Sequence, residues 1–313
     1  MIINTGVRTD VVQYFTLWLL NRIGAGFVYS RNPLFPDKIL KYDLTPDKVD
    51  CLVNCSKNYQ PLLSYVKDIM SIYNTYYHYT ITAYGTDVEP RVPSIDESIE
   101  TLIKLSGIAG KQRIAWRYDP VLLTEKYTVD YHFKTFEYMC KRLYKYIDRC
   151  IFSFVEMYKK LEKNMPEIIL LTDNDKLRLA EGLGQIANRY GIFLQTCACK
   201  EEYKQFGIHE SGCLTLDILG RANNITFKKM RHAGMRENCR CIENRGLGDY
   251  ETCINGCKYC YANKDHQKSL LNYRKHNPES PLLLGEVGPD DIIIDGNQPS
   301  FLITEQPYTP SLF

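Results

Sequence analysis

The sequence predicts an α/β protein: a partial (β/α)6-like barrel of the TIM type with a cysteine-rich, loop-rich C-terminal segment. Short apolar runs alternate with longer amphipathic runs over the first two thirds of the chain, the order expected for parallel strands covered by helices. No glycine-rich dinucleotide fingerprint follows the first run, which favours a partial barrel over an open doubly wound sheet. The alternation ends near residue 220. We therefore predict a barrel-like domain over residues 1–222 and a cysteine-rich iron–sulfur segment with a C-terminal tail over residues 223–313.

Six short apolar runs are predicted to be the strands of this sheet. They are rich in β-branched and aromatic residues, and turn-forming or polar residues bound them, as is typical of buried strands. In chain order they are residues 1–6, 49–55, 76–85, 112–120, 149–155 and 192–197.

Each of the first five strands is followed by an amphipathic stretch that predicts a helix. The first helix follows Asp10, a good N-cap residue, and stops at Gly24. The third is closed by Gly107 or Gly110. The predicted helices cover residues 11–24, 60–73, 95–110, 129–147 and 174–191.

Polar residues follow four of the predicted strands. Because active sites of (β/α) barrels lie at the C-terminal ends of the strands, we predict that these residues line a pocket for a small-molecule or macromolecular substrate. Its arginines and lysine would hold anionic groups and its carboxylates would handle protons or hydroxyls. Helix capping by Asp10 and a turn at Asp119-Pro120 are the structural alternatives. The predicted catalytic residues are Arg8, Asp10, Lys57, Asn58, Glu89, Arg117 and Asp119.

Charge and hydropathy restrict the partners of the chain. There are 39 basic and 37 acidic residues, so there is no global field that would draw the protein onto nucleic acid or anionic lipid. A local basic stretch beside the cysteines is expected to offset thiolate charge, with a nucleic-acid patch as the less favoured interpretation; it contains Lys228, Lys229, Arg231, Arg236 and Arg240.

The cysteines predict metal binding rather than disulfides. The first helix lacks the flanks of a signal peptide, and nothing approaches the roughly 20 apolar residues needed to span a membrane. The protein is therefore predicted to be cytoplasmic, where thiols stay reduced. Cys253, Cys257 and Cys260 are spaced C-x3-C-x2-C, with Tyr259 before the last cysteine.

This spacing is the signature of radical S-adenosylmethionine enzymes. In those enzymes three cysteines hold a [4Fe–4S] cluster whose fourth iron binds S-adenosylmethionine, and one electron from the cluster cleaves it to a 5′-deoxyadenosyl radical. Tyr259 is assigned to the cofactor site by this pattern. Such enzymes carry the triplet after the first strand, whereas here it follows all six predicted strands.

The remaining C-terminal cysteines leave three hypotheses open. Cys239 and Cys241 can supply a fourth ligand, which would make the cluster a closed redox or electron-transfer centre served by an electron donor. Alternatively they join Cys197 or Cys213 around a second cluster or a zinc ion. A structural zinc site on a binding protein is the third hypothesis. For Cys51, Cys55, Cys140 and Cys150, burial as small hydrophobic residues is expected.

Taken together, the motifs resemble the family known as domain of unknown function 1848. "TITAYG", "EPRVP", "WRYDP" and the terminal "CKYCYAN" are similar to that family's pattern, and "NTGVRTDVVQYF" and "NCSKN" match it loosely. The chain has Val7 where the family has a second arginine, Cys55 where it has a tryptophan, and "GLGDY" with a shifted acidic residue. The resemblance implies a cluster motif similar to that of radical S-adenosylmethionine enzymes and no particular activity.

Overall fold

The computed structural model describes residues 1–197, 203–230 and 239–303. Its strands are β1 (Ile2–Asn4), β2 (Phe27–Arg31), β3 (Lys38–Asp43), β4 (Cys51–Ser56), β5 (Thr75–Thr80), β6 (Ile114–Val121), β7 (Arg149–Phe154), β8 (Leu194–Thr196), β9 (His209–Glu210), β10 (Thr226–Phe227), β11 (Arg245–Gly246), β12 (Ile292–Asp295) and β13 (Leu302–Ile303). Its α-helices are α1 (Val11–Tyr14), α2 (Thr16–Ala25), α3 (Val66–Ile72), α4 (Ile95–Ala109), α5 (Val129–Leu143), α6 (Lys159–Asn164), α7 (Asp173–Arg189), α8 (Leu216–Asn223) and α9 (His266–Arg274).

Eight parallel strands form the central sheet, in the order β11-β1-β4-β5-β6-β7-β8-β9. Seven of them, from β1 to β9, follow chain order with helical crossovers between most neighbours, which confirms the predicted parallel α/β sheet. The two-residue strands β9 and β11 extend it beyond the six predicted strands. The described strand pairings run from β11 to β9 and include none between these two edge strands, so barrel closure stays a prediction.

The two faces of the sheet bury different layers. Trp116, Phe152 and Leu194 point toward the helices and belong to the larger apolar core. Alternate residues point the other way, because successive side chains of a strand face opposite sides. We call this second side the cysteine face; it is covered by α8 and the cysteine-bearing segments, and its apolar layer includes Tyr76, Ala115, Ile151, Cys197, Cys241 and Ile242.

Capping residues explain where several helices begin. Asp10 caps α1, and Ser94 forms a capping box with Glu97 at the start of α4. The predicted first helix is divided: α1 ends at Tyr14, and α2 begins at Thr16, whose hydroxyl bonds to the carbonyl of Val12 at 2.5 Å. Such back-bonding competes with regular helix geometry.

A second sheet lies outside the predicted elements. Strands β2 and β3 form an antiparallel hairpin, and β12 pairs in parallel with β3. Asn32 shapes the hairpin loop, since its side-chain oxygen accepts from the backbone N–H of Leu34 at 2.9 Å.

The predicted boundary at residues 222 and 223 stays a prediction. Strand β11, from the second predicted part, pairs with β1 of the first. No α-helix among the described residues is long and apolar enough to cross a membrane.

Candidate metal centres and polar rim

The cysteine triplet lies in a loop after β11 that docks onto the ends of β4 and β5. Lys258 donates its backbone N–H to the carbonyl of Val88 at 3.0 Å, and Arg91 donates its own to the carbonyl of Asn255 at 3.2 Å. Gly256 adopts a φ of 73° directly before Cys257, a conformation that glycine reaches without steric cost. The "EPRVP" loop and the triplet loop are therefore packed against each other.

Glu89 is the charged centre of this contact. Its side chain is only 2% exposed, and its Oε1 accepts from Lys57 Nζ at 2.8 Å and from the Thr82 hydroxyl at 2.7 Å. The same oxygen accepts a short hydrogen bond from the hydroxyl of Tyr259. Lys57 also lies 5.6 Å from the centre of the Tyr259 ring. Two predicted site residues, Lys57 and Tyr259, thus donate to the same oxygen of a third, Glu89.

Lys57 also lies close to the triplet. Burial lowers the pKa of Lys57, but the negative charge of Glu89 and the hydrogen bond to it outweigh burial and raise that pKa overall; Cys257 acts in the same direction when it is deprotonated. Burial raises the pKa of Cys253 to about 12 and that of Cys257 well above its usual range. Metal binding at these thiols would therefore have to displace their protons.

Asp10 connects the first helix to the triplet loop. Its carboxylate accepts from the Ser56 hydroxyl at 2.7 Å and from the backbone N–H of Lys57 at 3.0 Å. Asn255, between the first two cysteines of the triplet, lies 3.5 Å from Asp10 and accepts from the Tyr14 hydroxyl at 2.8 Å. Burial raises the pKa of Asp10, although these hydrogen bonds oppose that rise. Asp10 therefore caps α1, as the structural alternative predicts, and also contacts Lys57 and the triplet loop.

Arg117 and Asp119 form a second ion pair at the strand ends. Asp119 also accepts a short hydrogen bond from Ser153, and Arg117 lies 3.5 Å from the Cys55 sulfur. The Nε of Arg117 is buried without a protein partner. Burial lowers the pKa of Arg117, but Asp119 and nearby thiols outweigh it and keep that pKa well above its usual range.

Two predicted catalytic residues are engaged in local structure. Arg8 donates to the hydroxyl of Ser30 and to the carbonyls of Arg31 and Gly248, at 3.2 to 3.3 Å. The side chain of Asn58 accepts from the backbone N–H of Gln60 at 2.9 Å, which shapes the turn after β4. Their catalytic roles stay predictions.

A separate group of thiols lies where β8, β9 and the approach to β11 meet. The sulfurs of Cys197, Cys213 and Cys241 all lie within 4.8 Å of one another, a group that could hold a metal ion. The sulfurs of Cys213 and Cys241 are 3.3 Å apart, and the Cys197 thiol interacts with those of Cys213, Cys239 and Cys241. These interactions lower the pKa of Cys197 and raise those of Cys213 and Cys241. We call these four residues the thiol group.

The thiol group bears on the roles of Cys239 and Cys241, which the sequence leaves open. Cys241 lies with Cys197 and Cys213 in a group that could hold a metal ion, and Cys239 interacts with Cys197 and Cys241. This arrangement favours a second metal centre; the role of Cys239 and Cys241 as ligands stays a prediction. Cys199, Arg231 and Arg236 lie outside the described residues.

We call the charged residues at the strand ends, Asp10, Lys57, Glu89, Arg117 and Asp119, the polar rim. Sequence reasoning missed the polar residues that bond to this rim. Ser56, Thr82 and Asn255 bond to Asp10 or Glu89, and Cys55 contacts Arg117 rather than the apolar core. A usable signal existed for Cys55, because it lies at the end of a strand beside predicted site residues. Thr82 also had a signal, because it belongs to the "TITAYG" motif at a predicted strand end, whereas no signal distinguishes Asn255 from the other polar residues of its loop.

The fold and these sites define an α/β protein with a large parallel sheet and a cysteine group that could hold a metal ion. Residues 2–262 match the family model described as "Domain of unknown function (DUF1848)", and the chain belongs to that family, which confirms the resemblance seen in its motifs. No curated protein and no solved structure matches the chain.

Proposed function

We propose that the protein is an iron–sulfur enzyme similar to radical S-adenosylmethionine enzymes, with a [4Fe–4S] cluster on Cys253, Cys257 and Cys260. The observation that carries the proposal is the docking of this triplet on the polar strand ends, where Tyr259 bonds to Glu89. A metal group at the triplet would therefore lie beside side chains able to hold a substrate, as expected of an active site at the C-terminal ends of parallel strands.

The donor set fits such a cluster in chemistry and in number. Thiolates are soft ligands that select iron–sulfur clusters, zinc or copper(I). Cys239 and Cys241 contact Cys197, which leaves the triplet as a three-cysteine set and favours an open iron over a closed electron-transfer centre. When bound, a cluster of this kind supplies the electron that cleaves S-adenosylmethionine.

The side chains at the strand ends have roles that follow from their contacts. Lys57 uses one of its three N–H donors on Glu89, and Arg117 retains a buried Nε without a protein partner. These two cations can bind anionic or carbonyl groups of a substrate. Glu89 and Asp119 hold the two cations in place, and the carboxylates can accept protons or hydroxyl hydrogen bonds. An electron donor is required as a partner.

The test is the formation of 5′-deoxyadenosine by anaerobically purified, reduced protein supplied with S-adenosylmethionine. We expect the product from the unmodified chain and from C150S, which replaces a buried cysteine of the helix-side core, and none from C257S. If the unmodified chain retains iron and sulfide but yields no 5′-deoxyadenosine with several reductants, the proposal is wrong.

A further inference from the structure

The spacing of the thiol group suits a single metal ion. A zinc ion with Zn–S bonds of about 2.3 Å separates its tetrahedral sulfurs by about 3.8 Å. The sulfurs of Cys197, Cys213 and Cys241 lie within 4.8 Å of one another, with those of Cys213 and Cys241 at 3.3 Å. The Cys239 thiol lies outside this set of three and interacts with the thiols of Cys197 and Cys241. An iron–sulfur cluster would hold thiolates farther apart, because several iron atoms and sulfides lie between them.

The surroundings of the thiol group hold its ligand loop in place. His78 donates from Nε2 to the carbonyl of Cys213 at 3.0 Å, and Gln195 donates to the carbonyl of Gly212 at 3.1 Å. Both side chains are buried on the cysteine face. Gln195 is itself fixed by Arg149 at 2.8 Å. Such outer contacts orient metal ligands and are typical of a built site.

The thiol group also lies between the two edges of the central sheet. Cys197 follows β8, Cys213 follows β9, and Cys241 precedes β11. The chain segments carrying Cys213 and Cys241 meet directly: Ile242 donates its backbone N–H to the carbonyl of Leu214 at 3.0 Å, and Arg240 pairs with Glu210 at 3.2 Å.

Gly212 allows the segments that carry Cys213 and Cys241 to lie close together. A Cβ at residue 212 would lie 2.5 Å from the backbone oxygen of Arg240 and 2.8 Å from the backbone nitrogen of Cys241. Both contacts are with backbone, so a larger side chain would force the two segments apart.

From these contacts we infer that Cys197, Cys213, Cys239 and Cys241 bind one zinc ion, which fastens edge strand β9 to edge strand β11. Four Zn–S bonds form, and the protons of the four thiols pass to water. With four protein ligands the site is closed and therefore structural rather than catalytic. Arg117 lies near enough to Cys197 and Cys213 to offset their charge. This zinc site is independent of the function proposed for the triplet.

Metal analysis of single-cysteine variants tests the assignment on the full chain purified anaerobically. We expect stoichiometric zinc in the unmodified protein, zinc lowered about tenfold with iron retained in C241S and C239S, and iron lost with zinc retained in C257S. C150S is the control. Loss of iron with unchanged zinc in C241S would assign Cys241 to the cluster and overturn the inference, as would an unmodified chain that contains iron and no zinc.

The link between the segment after β9 and the segment before β11 is tested by a variant that removes no ligand. G212A should release zinc to a chelator about tenfold faster than the unmodified chain, because it separates two pairs of ligands. G107A is the matched control, since a Cβ at Gly107 meets no atom within 4 Å. Equal rates of zinc release from G212A and from the unmodified chain would overturn the inference that the zinc ion fastens these two segments.

A third measurement needs no variant and so does not depend on variants that fold. Cobalt(II) loaded into the unmodified chain in place of zinc should give thiolate charge-transfer bands and the intense d–d bands of tetrahedral cobalt. A weak octahedral spectrum would overturn the four-thiolate assignment.

Discussion

The pair formed by Lys57 and Glu89 offers a quantitative test of the polar rim. Lys57 is 13% exposed and Glu89 is 2% exposed, with Nζ and Oε1 at 2.8 Å. E89Q keeps an oxygen for Thr82 and Tyr259 but turns their two charge-assisted hydrogen bonds into neutral ones, at about 1 kcal/mol each. It also leaves the buried cation without its counter-charge. We expect the free energy of unfolding to fall by about 3 to 5 kcal/mol.

A double-mutant cycle separates the pair from the other contacts of Glu89. In a K57M background the cation is gone and Glu89 lacks its counter-charge, so E89Q should cost at most about 2 kcal/mol for its two remaining hydrogen bonds. The coupling free energy is therefore expected at about 1 to 3 kcal/mol. The assay is urea unfolding of the anaerobically purified chain, followed by intrinsic fluorescence, for the unmodified protein, both single variants and the double variant.

The "EPRVP" region supplies a matched control. Lys126 and Asp87 lie 3.0 Å apart, and Tyr127 bonds to Asp87 much as Tyr259 bonds to Glu89, but the two charged side chains are 61% and 45% exposed. The cycle K126M/D87N should give a coupling below about 1 kcal/mol. Additivity within about 0.5 kcal/mol for Lys57 and Glu89 would refute the account of a desolvated ion pair.

Three further predictions follow from single residues. G256A should destabilise the triplet loop by about 1 kcal/mol because of its positive φ, and should lower iron content relative to G107A; equal iron content would contradict this. Y259F should lower the free energy of unfolding by about 1.5 to 3 kcal/mol by removing a hydrogen bond to a charged group, measured by urea unfolding, and a loss below about 0.5 kcal/mol would be against it. Burial lowers the pKa of His132 to about 4, so the unfolded chain binds more protons and stability falls as the pH drops from 6.5 toward 4. From pH 7 to pH 5 this loss should be about 2 kcal/mol, and H132Q should show a smaller loss by that amount in urea unfolding at the two pH values.

Much of the fold could be predicted because its longer elements carry strong patterns. Alternation of apolar runs and amphipathic stretches indicated β4, β6, β7, α4 and α7 near their observed bounds. The two-residue strands β9 and β11 could not be predicted, because a pair of residues has no periodicity. The hairpin of β2 and β3 did carry a signal, since an Asn-Pro turn divides two runs rich in aromatic and β-branched residues.

The candidate site was only partly accessible from the sequence. The positions of Lys57, Glu89 and Tyr259 followed from strand ends and from the cysteine spacing, and the structure brings them together on one carboxylate oxygen. The partners of Cys239 and Cys241 could not be derived, because their positions beside Cys197 depend on how the segment after β9 meets the segment before β11. Spacing alone does not encode that meeting.

The most direct test of the central claim is electron paramagnetic resonance of the reduced, anaerobically purified protein with and without S-adenosylmethionine. We predict a [4Fe–4S] signal that changes when S-adenosylmethionine is added, that persists in C241S and that is absent from C257S. A cluster signal that S-adenosylmethionine leaves unchanged, or one that disappears in C241S, would contradict an open cluster on Cys253, Cys257 and Cys260.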